Sequence, residues 1–282
     1  MTNRKLDMGK AWTEATGLIG ANRDTLSAIA GLFFFVPSLA LALFAPELAA
    51  PQSPAPAGTD PQVAMQAMMD QLTQAYIKNW PLVAVATLLQ FIGSLSLLAL
   101  LTDRSRPTVR EALMIGLAGL LPYIAALLLN AFGAGVLAGL PFAVLAALGS
   151  PAVALLGLLV MVVILLYVMV KFILIAPVIA IEGYRNPITA MQRSWRLTKG
   201  NSIRIAIFVL LLFFTIGIIA ALVTGIVGLI FSALGSQVAS IGGGMVNAAI
   251  NALVGVIFMA VFAAIHRQLA GQSPEGLAAT FE

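Results

Sequence analysis

From Ala112 to Ile181 the chain carries a single charged side chain, Lys171, and runs of similar apolarity lie on both sides of that stretch. Lipid gives backbone N–H and C=O groups no hydrogen-bond partner, so segments of this kind cross a bilayer only as helices or as strands of a closed barrel. The runs are continuous and do not alternate apolar with polar residues, which selects helices. About 20 apolar residues cover the hydrocarbon core. Six stretches qualify: Leu26 to Ala45, Pro81 to Leu101, Ala112 to about Gly139, Ala152 to Ala176, Ile203 to Phe231 and Met245 to Ile265. The cluster of Gly133, Gly135, Gly139, Pro141, Gly149, Ser150 and Pro151 marks the turn between the third and fourth. Pro37 and Pro122 fall inside spans and are expected to kink them. The expected fold is all-α: a polytopic membrane helical bundle of six transmembrane helices plus short interfacial amphipathic helices, one integral membrane domain over residues 1–282.

Charge supplies the orientation. Only 9% of residues are charged, against about 25% in a soluble domain, and the cations are unevenly placed. Arg4, Lys5, Lys10 and Arg23 precede span one, Arg104, Arg106 and Arg110 join spans two and three, Arg185, Arg193, Arg196, Lys199 and Arg204 join four and five, and Arg267 follows six. The opposite loops hold only Lys78. The positive-inside rule then places both termini in the cytoplasm. About 25 residues, Asp7, Glu14 and Asp24 among them, precede the first apolar run, so span one is expected to stay as an anchor and not to be cleaved as a signal. The absence of cysteine excludes disulfides and thiolate metal sites.

Three segments lie outside the spans. Residues 46–80 form an outer loop with a Pro- and Ala-rich linker, followed by a helix with Asp60 as cap and Pro61 first. Its face of Met65, Met68, Met69, Leu72 and Tyr76 is expected on the membrane surface or capping the bundle. Residues 1–25 form a cytoplasmic amphipathic arm, with Met8, Ala11, Trp12, Ala15 and Ile19 on one stripe and Asp7, Lys10 and Glu14 facing away. Residues 177–202 form a basic elbow: Asn186 caps, Pro187 opens the helix, Ile188, Met191, Trp195 and Thr198 line one side, Arg193 and Arg196 the other, and Gly200 with Asn201 stops it. Aligning Asn22 with Asn201 also matches Ala11 with Ala190 and Leu18 with Leu197, a weak internal repeat.

The elbow is the first candidate site. Arg185, Arg193, Arg196, Lys199 and Arg204 form a cluster fit for anionic lipid headgroups, at about 1 kcal/mol per charge near the surface, although topology alone also demands cations there. Glu182 is expected to orient the elbow by pairing with Arg185 or Arg193. Lys171 lies near a span end and is expected to snorkel to the interface. Asn247 and Asn251 share a face of span six; with Asn130 and Gln90 they are either interhelical hydrogen-bonding groups or an intramembrane polar path. Gly217, Ala221 and Gly225, and Gly135 with Gly139, are expected to be ridges for close helix contact. His266 is expected at the interface. No span carries a central Asp or Glu, and there is no HExxH, P-loop or paired carboxylate, so no cofactor, metal or catalytic constellation is expected.

The stretch "APVIAIEGYRNPITAMQRSWRLTKGN" carries a resemblance. A proline near a span end, Glu182, Pro187, Ala190, Arg193 with Ser194, Leu197, and Lys199-Gly200-Asn201 before a new span resemble a family of six-span bacterial inner-membrane proteins. That family includes YciC-like proteins and the membrane domain of some glycerophosphoryl diester phosphodiesterases. The resemblance implies a multi-pass protein of the bacterial inner membrane. The catalytic histidines and metal-binding acids of the phosphodiesterase barrel have no counterpart here, so an enzyme is not expected. The leading expectation is a non-catalytic protein that binds or organises anionic phospholipid, or scaffolds envelope protein partners, with no nucleic acid. The alternative is a carrier or channel for an uncharged or lipid-like solute.

Overall fold

The computed structural model describes residues 5–48, 60–101 and 108–271. The expectations placed on Arg4, Arg104, Arg106 and most of the Pro- and Ala-rich linker lie outside them. In chain order the helices are α1 (Met8–Ala21), α2 (Arg23–Ala30), a π-helical turn (Gly31–Phe35), α3 (Val36–Phe44), a short 3-10 turn (Pro46–Leu48), α4 (Pro61–Leu100), α5 (Val109–Ala146), α6 (Pro151–Phe172), α7 (Ile175–Ile181), α8 (Pro187–Thr198), α9 (Ser202–Ala233) and α10 (Ser236–Ala270). Six helical stretches are long and apolar enough to cross a membrane: 23–44, 62–100, 109–146, 151–181, 202–233 and 237–270. The protein is a multi-pass helical membrane protein. The side where α1 meets the end of α10 is called the terminal side below, and the side of the α5–α6 and α9–α10 turns the distal side.

Local chemistry explains most boundaries. Asp60 accepts from the Gln62 N–H at 2.8 Å with Pro61 in the first turn, and Thr108 and Glu111 close a reciprocal capping box on α5. The α5–α6 turn falls at Ala147–Ser150, where Gly149 takes φ +73°, a conformation that L side chains adopt with strain. Pro37 cannot give the Phe33 carbonyl an amide hydrogen, and the backbone widens into the π turn just before it. Asn22 and Asn201, matched by the repeat alignment, both sit where an amphipathic helix breaks before a span.

The structure revises three expectations. The methionine-bearing helix does not lie on the membrane surface: it continues through Pro81 into span two as the 40-residue α4, and Met65, Met68 and Met69 stay exposed. The arm is docked. Ala11, Ala15 and Leu18 of α1 are buried in the core that it shares with α10, and Glu14, expected outward, pairs with Arg267 at 3.1 Å. Close helix contacts use other glycines than those expected. A Cβ on Gly135, Gly139, Gly217 or Gly225 would meet nothing within 4 Å, whereas one on Gly93, Gly116, Gly119 or Gly255 would press on a neighbouring helix. Several helix faces turn toward lipid in this bundle, and small residues occur on those faces as well as at contacts.

Candidate functional site

The terminal side is assembled around the break between α6 and α7. Where α6 ends, the Lys171 carbonyl loses its helical donor. Helix α8 supplies a replacement: Ser194 Oγ donates to it at 2.8 Å, while the Thr198 hydroxyl, 3.4 Å away, has the Ser194 carbonyl closer at 3.0 Å. Asn186 caps α8 by accepting from the Ile188 and Thr189 amides, Pro187 occupies its first turn, and Gly200 leaves with φ +83°. The buried face is Ala190, Ser194, Leu197 and Thr198, with Met191 partly buried at its edge and Ile188 and Trp195 exposed. Small and hydroxylated residues let the helix come close enough to reach the carbonyl.

Glu182 is the hub of this side. Arg193 Nε donates to its Oε2 at 2.8 Å and Nη2 to Oε1 at 3.0 Å, while His266 Nε2 lies 2.8 Å from Oε1. Of the two expected partners, Arg193 forms the pair. Burial opposes ionisation of Glu182, but the hydrogen bonds from His266 and Arg193 outweigh it and hold the carboxyl below its usual range. His266, expected at the interface, is fully buried. With Nε2–H facing the carboxylate, Nδ1 is left as a buried acceptor without a partner.

The other cations divide into engaged and open. Arg204 Nη1 donates to the Leu6 carbonyl at 3.2 Å and Asn201 Oδ1 accepts from the Leu6 amide at 2.8 Å, so both clasp the arm. Arg185, Arg196 and Lys199 are exposed. Lys171 does not snorkel into water. It is 4% exposed, and its Nζ stands 5.0 Å from the Trp195 ring centroid and 5.4 Å from that of Tyr167, aromatic faces that take the place of solvent. Beside them, Leu129, Phe172, Ile188, Met191, Gln192 and Trp195 line a groove of about 410 Å³.

The polar path is only partly brought together. Gln90, Asn247 and Asn251 line one cavity on the distal half, but Asn130 is not among its lining residues. The Asn130 side-chain oxygen is buried without a partner elsewhere on α5. Among the described residues no three His, Asp or Glu side chains come close enough to hold a metal ion.

Residues 141–271 match the family model described as the membrane domain of glycerophosphoryl diester phosphodiesterase. Over this carboxy-terminal segment the chain is similar to that family. This membrane domain begins near the end of α5 and closes just after α10, so it contains Glu182, Arg193 and His266, all three members of the hub. No curated protein and no solved structure matches the chain.

Residues that sequence reasoning missed are His266, Ser194, Thr198 and the Glu14–Arg267 pair. The i, i+4 spacing of Ser194 and Thr198 on α8 was a usable signal for a shared face. Nothing in the order of residues announces that the end of α10 runs beneath α7 and α8.

Proposed function

We propose that this protein is a non-catalytic membrane protein of the bacterial inner membrane that holds anionic phospholipid on its terminal side, with that side in the cytoplasm. The observation that carries this reading is the composition of the outward side of α8. Arg196 and Lys199, exposed and outside the Glu182 hub, stand beside the apolar groove under Trp195. A phospholipid joins the same two chemistries, a phosphate for the cations and an acyl chain for the groove. Arg193 is excluded from the lipid-binding set because Glu182 already neutralises it.

The test is native mass spectrometry of the full chain with dioleoyl phosphatidylglycerol and dioleoyl phosphatidylcholine in competition. Wild type should retain phosphatidylglycerol preferentially. Removing two charges of about 1 kcal/mol each in an Arg196→Gln, Lys199→Gln variant should cut the preference roughly thirtyfold. An equal preference in that variant overturns the proposal. Sidedness is tested separately by a reporter fused to the carboxy terminus, which should be active only as a cytoplasmic reporter.

A further inference from the structure

The distal half of the bundle encloses a cavity of about 730 Å³ between α3, α4 and α10, with Thr224 of α9 on one flank. That volume lies within the usual span for small-molecule sites, about 300–1,000 Å³. Among the described residues no Asp, Glu, Lys or Arg lines it. Its polar surface is amide and hydroxyl, from Gln90, Asn247, Asn251, Ser38, Ser240 and Thr224. Gln90 lies ten residues along α4 from Trp80, about 15 Å at 1.5 Å per residue, so its carboxamide sits in the apolar length of the helix, while those of Asn247 and Asn251 are exposed and accessible to an occupant.

Hydrogen-bonding capacity there is largely unspent. Among the described residues, Asn251 Nδ2 donates to Asn247 Oδ1 at 2.8 Å, and no other side-chain bond of these two residues or of Gln90 is formed. A carboxamide left unpaired away from water costs roughly 1–3 kcal/mol, so an occupant that covers these groups must hydrogen-bond to them. An ion would find no counter-charge. The floor is Phe34, on the π turn. It is wedged so tightly that a Cβ on Gly255 would stand 2.8 Å from its ring and one on Gly93 2.9 Å. Near the mouth, Glu47 accepts from Lys78 Nζ and Asn79 Nδ2, both at 2.9 Å, and pins the Pro46–Leu48 turn to α4.

We propose that this cavity binds an uncharged, hydroxyl-bearing molecule, either the headgroup of a neutral lipid or a free polyol. It lies on the opposite side from the elbow and stands or falls independently of phospholipid binding there.

The chain has no cysteine, so Ser240→Cys installs a single thiol in the cavity wall. The full-length variant in phosphatidylcholine nanodiscs is reacted with a charged, membrane-impermeant maleimide, alone and with increasing 1,2-dioctanoylglycerol, glycerol or dioctanoyl phosphatidic acid. The thiol should react, and one neutral probe should slow it saturably, about tenfold at about ten times its half-saturating concentration. Protection by dioctanoylglycerol assigns a lipid source, and protection by glycerol an aqueous one. Phosphatidic acid, with the same chains and a charged head, should not protect. A Cβ on Gly243 would meet nothing within 4 Å, so Gly243→Leu should fold, fill the space and abolish protection. An inert thiol in a folded variant, no protection by either neutral probe, or equal protection by phosphatidic acid overturns the proposal. Thr224→Cys, on the flanking wall, gives the same readout if Ser240→Cys does not fold.

Discussion

Replacing Glu182 with Gln tests the hub most directly. The Glu182 side chain is 10% exposed and that of Arg193 30% exposed. Breaking a fully buried ion pair by removing one partner costs about 3–5 kcal/mol, and an exposed pair is worth about 0–1 kcal/mol. With one partner nearly enclosed and the other partly open, the loss falls between, near 2 kcal/mol. The glutamine oxygen can accept from Arg193 or His266, but its NH2 group then faces the other donor, an unsatisfied contact worth roughly a further 1 kcal/mol. Equilibrium unfolding in mixed micelles should therefore show Glu182→Gln destabilised by about 3 kcal/mol. A cycle with Arg193→Gln should show a coupling of about 1–3 kcal/mol. The pH dependence has a definite sign. Glu182 ionises more readily folded than at its ordinary value of 4.5, so its stabilising contribution is present above that value and lost as pH falls through the lower folded value. Wild type should weaken across that acid window, and Glu182→Gln should not show this component. A loss below about 0.5 kcal/mol with negligible coupling would refute the reasoning, because a pair of this geometry and burial cannot be removed without consequence.

Other substitutions separate contacts from appearances. Gly116→Ala would drive a Cβ onto the Ser96 hydroxyl and to 2.8 Å from the Ile92 carbonyl oxygen, and should cost roughly 1–3 kcal/mol in the same unfolding assay. Gly139→Ala, with nothing within 4 Å, should be neutral or stabilise by about 0.5–1 kcal/mol; equal losses at the two positions would contradict the packing described. Ser194→Ala removes the 2.8 Å bond to the Lys171 carbonyl and should cost about 1–2 kcal/mol, more than Thr198→Val, whose hydroxyl has its nearest acceptor within α8 itself. Glu14→Gln should loosen α1 from α10, seen as faster chymotryptic cleavage at Trp12 with the bundle otherwise intact; unchanged cleavage would mean that apolar packing and the Leu6 clasp hold the arm without this pair.

What the residue order made legible was whatever depends on near neighbours in the chain. Asn186 and Pro187 announce the start of α8, Asp60 and Pro61 that of α4, and the length of each apolar run identifies a span. Partners across the bundle were not legible, because lipid and protein interior are equally apolar solvents for a side chain and hydropathy cannot tell them apart. For that reason Gly135 and Gly217 looked like contact glycines and are not, while Gly93 and Gly255, which clamp Phe34, were not expected as contacts. Lys171 and His266 were misplaced for a related cause. A polar residue near a span end usually reaches water, and only the fold shows that α8 lies across one and that Glu182 meets the other.

The distribution of polar contacts also bears on how the matched membrane domain stands within the whole chain. Glu182, Arg193 and His266 all fall inside residues 141–271, and so does the bond from Ser194 to Lys171. The ties reaching outside that segment include Glu14 to Arg267 and the clasp of Leu6 by Asn201 and Arg204, both made by the arm, together with the apolar packing of α4 and α5 on α7. Directional bonds thus fix the geometry of the elbow from within, and the amino-terminal spans add largely non-directional burial around it. Substitutions in α4 or α5 that keep volume should consequently change stability while leaving the placement of α8, and with it the groove and its flanking cations, as it is. Substitutions at Glu182 should both lower stability and displace α8, since its orientation hangs on one carboxylate and two donors from elements far apart in the chain.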